Sequence, residues 1–332
     1  MNQGWIYRDR VPPVAAGQTL LDYYAQRYRH STREEWRTRI EQGQVTVADT
    51  PGHADQRLQT GQLLAYHRAP WQEPDVPLNF DVLYEDEDLL AIAKPSGLPV
   101  LPGGQFLEHT LLHQLRQRFP QNPPTPVHRL GRGTSGVMLL ARSPLARADL
   151  SRQLRQASDR QRPATHFHKS YRALIGPSDL PDTFEVSVPI GPVPYPGLGT
   201  LFAATPSGKW AYSQGSVLQR QAHQTLLEVN IATGRPHQIR IHLAAIGYPL
   251  LGDPLYTSGG HPLKTMATDK SPIPSDIGYH LHAHHLNFTH PRQRTTLQIT
   301  CPPPLCLQVK SEGGDRKYPL TPNEDSATQS TF

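Results

Sequence analysis

Residues 128–141 read HRLGRGTSGVMLLA, and the reading of the chain turns on this stretch. Its second half, Val137 to Ala141, is a short continuous apolar run of the kind that becomes a buried strand. Its first half places Gly131, Gly133 and Gly136 within six residues, with His128, Arg129 and Arg132 beside them. Glycines that dense imply a tight turn with close backbone approach. The pattern lacks the Lys-Ser/Thr pair of a P-loop, so a basic loop feeding a buried strand describes it better.

Downstream, Ser143-Pro144 is a helix start, with Ser as N-cap and Pro at the first helical position. The helix predicted from there to about Gln156 carries Arg147, Arg152 and Arg155. Residues 131–175 hold nine basic and two acidic residues, while the chain as a whole has a formal net charge of +5. Residues 1–75 and 176–332 each balance to zero, so the basic excess sits in one block. Most of the basic residues are Arg, whose planar fork suits phosphate. A local Arg field of this kind points to a nucleic-acid partner, set against the plainer reading of a solvated helix face.

A second dense stretch is TGRPHQIRIH at 233–242. Arg235, His237, Gln238 and Arg240 crowd a strand-to-helix transition, and a helix N-terminus there favours an anion. The apolar set Ile239, Leu243 and Ile246 has helical spacing. Strands are predicted at Val82–Tyr84, Leu89–Ala93, Tyr171–Ile175, Glu185–Val188, Tyr212–Gln219, Thr225–Ile231, Leu281–Asn287 and Thr295–Thr300. Leu111 to Phe119 reads as a short helix, and 257–280 as a long loop. Many strands with few helices give an α+β class rather than a doubly wound sheet.

The first 70 residues read separately. Residues 1–16 are an N-terminal arm, and 17–70 a small α+β module. In it Leu20, Leu21, Tyr24 and Tyr28 mark one helix face. Ser31 and Thr32, followed by Glu34 and Glu35, form a capping-box signature for a second helix carrying Arg33 and Arg37. Val45 and Val47 alternate as a strand, Pro51-Gly52 turns, and Leu63 to Tyr66 returns. Residues 71–79 read as a linker, 80–310 as the main domain, and 311–332 as a polar tail expected to be disordered.

Composition excludes several classes. With 332 residues, 36% strictly apolar, 34 Pro and 25 Gly, the chain is globular and loop-rich, with length for two domains. Two cysteines, Cys301 and Cys306, exclude a disulfide framework and a Cys-based metal cluster. No apolar run reaches membrane-span length, and no apolar stretch follows Arg8 and Arg10 as in a signal peptide. The expectation is a soluble cytoplasmic monomer with no membrane partner and no cofactor. His280, His282, His284, His285 and His290 invite a metal-site reading, but no carboxylate accompanies them at a recognised spacing, so no metal ligands are assigned.

Taken in order, these stretches resemble the RluA-type family of RNA pseudouridine synthases. LYEDEDLLAIAKPSGLPVLPG at 83–103, HRLGRGTSG at 128–136, Lys169-Ser170-Tyr171 and TGRPHQIRIHLA at 233–244 each resemble a family motif. Gly252-Asp253 through Tyr256 and Leu281-His282-Ala283-His284 through His290-Pro291 complete the set. The resemblance implies a bent, mostly antiparallel sheet with flanking helices, preceded by a small RNA-binding module. It implies cofactor-free isomerisation of uridine in structured ribosomal or transfer RNA, after the base is extracted from its stack.

By resemblance, Tyr171 is the stacking aromatic and Arg240 the partner of the catalytic Asp, with Arg235 beside it. His128, Arg129, Arg132, Arg147, Arg152, Arg155, Lys169, His237, Gln238, Arg33 and Arg37 are the expected RNA contacts. The chain departs from the family at its centre: the motif Asp falls on Gly131, which has no side chain to act. Asp253 is then the candidate substitute acid, and Arg240 is expected to face a pocket missing its anion. Two readings follow: a working isomerase using a displaced acid, or a catalytically silent relative that binds RNA in folding or ribosome assembly.

Overall fold

The apolar run of the motif forms the strand Ser135–Ala141, buried along nearly its whole length. The computed structural model describes residues 1–29, 31–158, 167–196, 198–263 and 272–310. In it this strand lies within a ten-stranded sheet. The main path runs Thr183–Val186, Ser213–Gln221, Gln224–Ile231, His168–Ile175, Leu281–Thr289, Ser135–Ala141, Leu89–Lys94, Asp81–Glu85. Thr296–Thr300 pairs with Leu281–Thr289, and Thr125–Pro126 with Ser135–Ala141. Every pairing in this sheet is antiparallel except Leu281–Thr289 against Ser135–Ala141. Helices Leu111–Arg118, Pro144–Ala157 and Gln238–Ala245 place Leu111, Leu150 and Ile239 in the same apolar core as the sheet. The domain is α+β, as the strand-rich pattern predicts.

The one parallel contact explains the last glycine of the motif. Gly136 has φ +111°, and a Cβ on it would stand 2.1 Å from the carbonyl oxygen of Ala283. Only a residue without Cβ lets the two strands approach so closely at that φ. Next to it, Ser135 Oγ meets His282 Nδ1 at 2.9 Å.

The Ser143 N-cap forms as expected, its Oγ accepting from the Ala146 N–H with Pro144 following. The acidic turn before Leu89–Lys94 also has structural work. Asp88 accepts from both Arg292 Nε and Nη2, and Asp86 meets His290 Nε2 at 2.8 Å.

The small module folds on its own apolar cluster of Leu20, Leu21, Tyr24, Trp36, Ile40, Val45, Val47 and Leu64. Helices Leu20–Arg27 and Arg33–Glu41 pack with strands ordered Trp5–Arg10, Leu63–Arg68, Val45–Val47, Thr50–Pro51. The capping box forms between Thr32 and Glu35. Two expectations are corrected here. Residues 1–16 are not a loose arm: Trp5–Arg10 pairs with Leu63–Arg68 and completes the sheet. The tight turn falls at Ala48-Asp49, both at positive φ, rather than at Pro51-Gly52. Gly52 is instead pressed against Leu20, where a Cβ would collide.

The 71–79 segment is also more than a linker. Glu73 accepts from the backbone N–H groups of Leu107, Glu108 and His109 and from Asn2 Nδ2. Burial opposes its ionisation, yet these donors hold its carboxyl down at about 2. Trp71 Nε1 donates to the Gln105 carbonyl, and the Arg68 guanidinium lies 3.5 Å from the Trp71 ring centroid. The segment thus straps the small module to the 103–109 loop.

The sequence reading passes over an antiparallel hairpin, Ile190–Tyr195 with Gly199–Ala204, because its prolines and glycines read as breakers. The predicted 257–280 loop is entered through the two-residue strand Tyr256–Thr257, which pairs with His261–Pro262, and its residues 264–271 lie outside the described set. The polar tail 311–332 also lies outside it. No helix among the described residues is long and apolar enough to cross a membrane.

Candidate active site

A cavity of about 350 Å³ opens where the two glycine- and arginine-rich stretches meet. Three kinds of element line it. The 127–134 loop contributes His128, Arg129, Gly131 and Thr134; the central strand His168–Ile175 contributes Lys169 and Tyr171. The turn into helix Gln238–Ala245 contributes Arg235, His237, Gln238 and Arg240, with Tyr279 closing the side. Lys169 and Tyr171 share this face because side chains two apart on a strand point the same way.

Arg240 is the most constrained of these. Its side chain is 2% exposed, and that of Asp253 0%. Arg240 Nε and Nη2 donate to the two Asp253 carboxylate oxygens, each at 2.7 Å. The guanidinium lies between two aromatic rings, 4.2 Å from the Tyr279 centroid and 5.0 Å from that of Tyr256. A forked, buried pair of this kind is rigid. Asp253 Oδ1 also accepts from the N–H groups of Leu255 and Tyr256, so the carboxylate is fully occupied.

Gly131 stands across from Tyr279. A Cβ on Gly131 would lie 2.8 Å from Tyr279 Oη, and one on Gly133 would lie 2.9 Å from the ring. Both glycines therefore make room for Tyr279. Its hydroxyl meets Thr134 Oγ1 at 3.3 Å.

The histidines here are neutral. His128 Nε2 accepts from the Leu139 N–H, and burial, aided by nearby Lys169, pushes its pKa down to about 4. His237 adopts left-handed φ (+54°) at the helix start. Burial, followed by Arg240, takes it down to about 3. Tyr256 Oη donates to the Phe202 carbonyl, so His237 Nδ1 carries the proton that reaches Oη at 2.7 Å. His237 Nε2 is left as an acceptor. Tyr171 is 8% exposed, and burial pushes its phenol up to about 12, so it serves as a neutral ring face.

With this geometry in hand, comparison with known proteins is direct. A family profile described as RNA pseudouridylate synthase matches residues 88–245. An uncharacterized RNA pseudouridine synthase of Synechocystis sp. (strain ATCC 27184 / PCC 6803 / Kazusa) is 52% identical over 285 residues, 86% of this chain and 94% of that one. The chain belongs to the RNA pseudouridine synthase family. The ribosomal large subunit pseudouridine synthase D of Neisseria meningitidis serogroup B is 30% identical over 305 residues, 89% of this chain and 78% of the other. The solved structure of human RNA pseudouridylate synthase domain containing 1, at 22% identity, has a TM-score of 0.51 over 70% of this chain and 86% of that one, a likeness of fold.

Against the expectations for a pseudouridine synthase site, the structure brings Tyr171, Arg235, Arg240, Lys169, His128, Arg129 and His237 to one cavity. Several expected roles change. Arg240 does not lack an anion: Asp253 is its partner, and Asp253 itself is not among the residues that line the cavity. Gln238 is a fully satisfied buried brace rather than an RNA contact. It accepts from Thr233 Oγ1 and the Arg235 N–H, and donates to the Tyr212 carbonyl and Ser213 Oγ. Arg132 turns away, donating to the Gly97 and Ser275 carbonyls.

The helix arginines do not line the cavity. Arg147, Arg152 and Arg155 are exposed, Arg152 is tied to Asp149, and the helix turns Leu154 inward instead. In the small module Arg33 pairs with Asp22 and Arg37 with Glu34. The clustered histidines of 280–290 are engaged with the protein: His282 Nε2 and His284 Nδ1 both meet the Cys301 carbonyl. Among the described residues no group of three His, Cys, Asp or Glu could hold a metal ion. Tyr279 is a polar pocket residue that sequence reasoning missed. No local pattern marks it, and only the paired spaces at Gly131 and Gly133 reveal its place.

Proposed function

We propose that this RNA pseudouridine synthase takes a uridine extruded from structured RNA, ribosomal RNA foremost, into the cavity at Tyr171. The observation that carries the reading is the convergence of Tyr171, Arg235 and Arg240, the last held by Asp253, on one nucleoside-sized space. The ribosomal choice is supported by the function named for the Neisseria relative. Tyr171 offers a flat, uncharged face for the base. Arg129, exposed at the mouth, is placed to meet phosphate or fill the vacated stack. Arg240 and Asp253 hold Tyr256 and Tyr279 in place as a positioning pair. The small module, with Arg33 and Arg37, is read as an additional RNA-docking surface. The chain is read as a cytoplasmic monomer, consistent with its two free thiols.

Base extrusion costs a few kcal/mol, which phosphate contacts and stacking on Tyr171 offset. The test is incubation of the purified chain with bulk RNA from a strain lacking its gene, followed by chemical mapping of pseudouridine. A new reproducible site is the expected result. Tight, salt-dependent RNA binding with no new site supports the second reading, a silent RNA-binding relative. The observation favouring that alternative is Gly131, which brings no carboxylate to the cavity.

A further inference from the structure

Lys169 is the one buried cation of the cavity that no described residue answers. Its side chain sits on the central strand, the residue is 7% exposed, and it lines the cavity. Among the described residues it has no hydrogen-bond acceptor and no carboxylate; its recorded contact is the Phe167 ring, 5.7 Å from Nζ. The other buried lysine, Lys94, is different: its ammonium donates to the carbonyls of Pro95, Leu98 and Arg132. Arg240 has Asp253. A buried cation without a partner is costly, and an active site is where such a cost is tolerated. The ammonium lies beside Gly234, whose Cβ would stand 3.3 Å from Nζ, so it faces the strand-to-helix turn of the second motif.

We propose that Lys169 is a catalytic residue of the isomerisation, its ammonium taking up the negative charge that develops on the uracil while the base is detached from ribose. The proposal rests on the functional reading above. In the reaction the N1–C1′ bond breaks with its electron pair moving to the base, leaving C1′ electron-poor. The charge spreads from N1 to the ring oxygens. After the ring turns, C5 gives a pair to C1′ and loses its proton, and N1 takes one up, so atoms and charge balance without a co-reactant. A preformed cation in the cavity wall stabilises the detached anion more than the neutral bound uridine, which is what accelerates a step. Position separates this role from a phosphate contact: Lys169 lies beside Tyr171 on the strand, whereas exposed Arg129 is at the mouth. Burial pushes the ammonium down to about 8, which keeps it mostly charged at neutral pH.

The test uses the full chain and a transcript carrying the uridine that the wild type modifies. Single-turnover rate and RNA affinity are measured for wild type, Lys169→Met and Lys169→Arg across pH. The expected result for Lys169→Met is a rate lower by about 100-fold with RNA affinity unchanged. Lys169→Arg should recover part of the rate and remove the alkaline fall that wild type shows as its ammonium is lost. An unchanged rate in Lys169→Met overturns the proposal. So does a loss confined to affinity, which would mark a phosphate contact. Should Met at 169 fail to fold, Lys169→Gln carries the same comparison. Product formation by wild type keeps the two questions apart: its absence overturns the functional reading and the proposal with it, whereas its presence with an indifferent Lys169 overturns the proposal alone.

Discussion

Two of the cations that line the cavity, both buried, are built in opposite ways. Arg240 is enclosed by Asp253, Tyr256 and Tyr279, with its charge answered inside the protein. Lys169 is buried to a similar depth with no anion at hand among the described residues. The first arrangement fixes geometry and leaves little for a ligand. The second is unfavourable until something negative arrives. The difference separates scaffold from chemistry more clearly than the motifs do, since both residues stand in motif positions.

The largest effect should come from breaking the satisfied cation. Asp253→Ala leaves Arg240 buried and unpaired and should lower stability by about 3–5 kcal/mol, measured by urea unfolding. A loss under about 1 kcal/mol would mean that Arg240 finds another anion or water, and the contrast with Lys169 would collapse.

Removing the unsatisfied cation should do the reverse. With the folded pKa near 8 against 10.5 unfolded, Lys169 binds its proton less well in the folded chain. Lys169→Met should therefore raise stability by about 3 kcal/mol at neutral pH. The sign sets the pH window. Between pH 8 and 10.5 the unfolded chain still holds a proton that the folded chain has released, so wild-type stability climbs toward that of the variant. Unfolding curves for the pair at pH 7 and pH 10 check this, and a constant gap would show that burial of the charge is not the cause.

Acid should act on the neutral, buried histidines at and near the site. His128 and His242 are held down to about 4 and His237 to about 3, mainly by burial. Their contribution is complete above pH 6.5 and is lost as pH falls toward 4, because only the unfolded chain takes up protons there. His128→Gln should flatten that part of the stability profile. An unchanged slope would place the acid sensitivity elsewhere.

A smaller effect concerns Gly131. Gly131→Ala should cost about 1–3 kcal/mol through collision with Tyr279 Oη, and Tyr279→Phe, which lacks that atom, should relieve it. Additive losses in the double variant would mean the two residues do not compete for one space. The smallest effect belongs to the exposed helix: Arg152→Ala should change stability by about 0–1 kcal/mol. A large loss of RNA affinity from Arg152→Ala, matched by none from Arg129→Ala, would move the RNA track from the cavity mouth to the helix.

Much of the fold could be read in advance. The strand Ser135–Ala141, the cap at Ser143 and the helix over Gln238–Ala245 follow from apolar runs and caps, which are local signals. The hairpin at 190–204 was hidden because a two-stranded ribbon tolerates prolines that a central strand would not. The strand Trp5–Arg10 was missed because an edge strand with five of its six residues exposed carries no clear alternation.

In the site, the residue types clustered in the two motifs were legible, while their roles were not. Arg240 and Gln238 sit two apart in sequence, yet one is locked to Asp253 and the other braces Thr233 and Tyr212.

By itself the sequence determined the α+β class, the two dense motifs that carry the family resemblance and the absence of a side chain at 131. Those are properties of composition, periodicity and residue identity, which are local. The tertiary structure alone decided that the two motifs meet at one cavity, that Asp253 belongs to Arg240, that Tyr279 occupies the space beside Gly131, and that Lys169 has no anionic partner among the described residues. Whether a charge is answered depends on which distant segments the fold brings within hydrogen-bond reach, and burial sets how much an unanswered one costs.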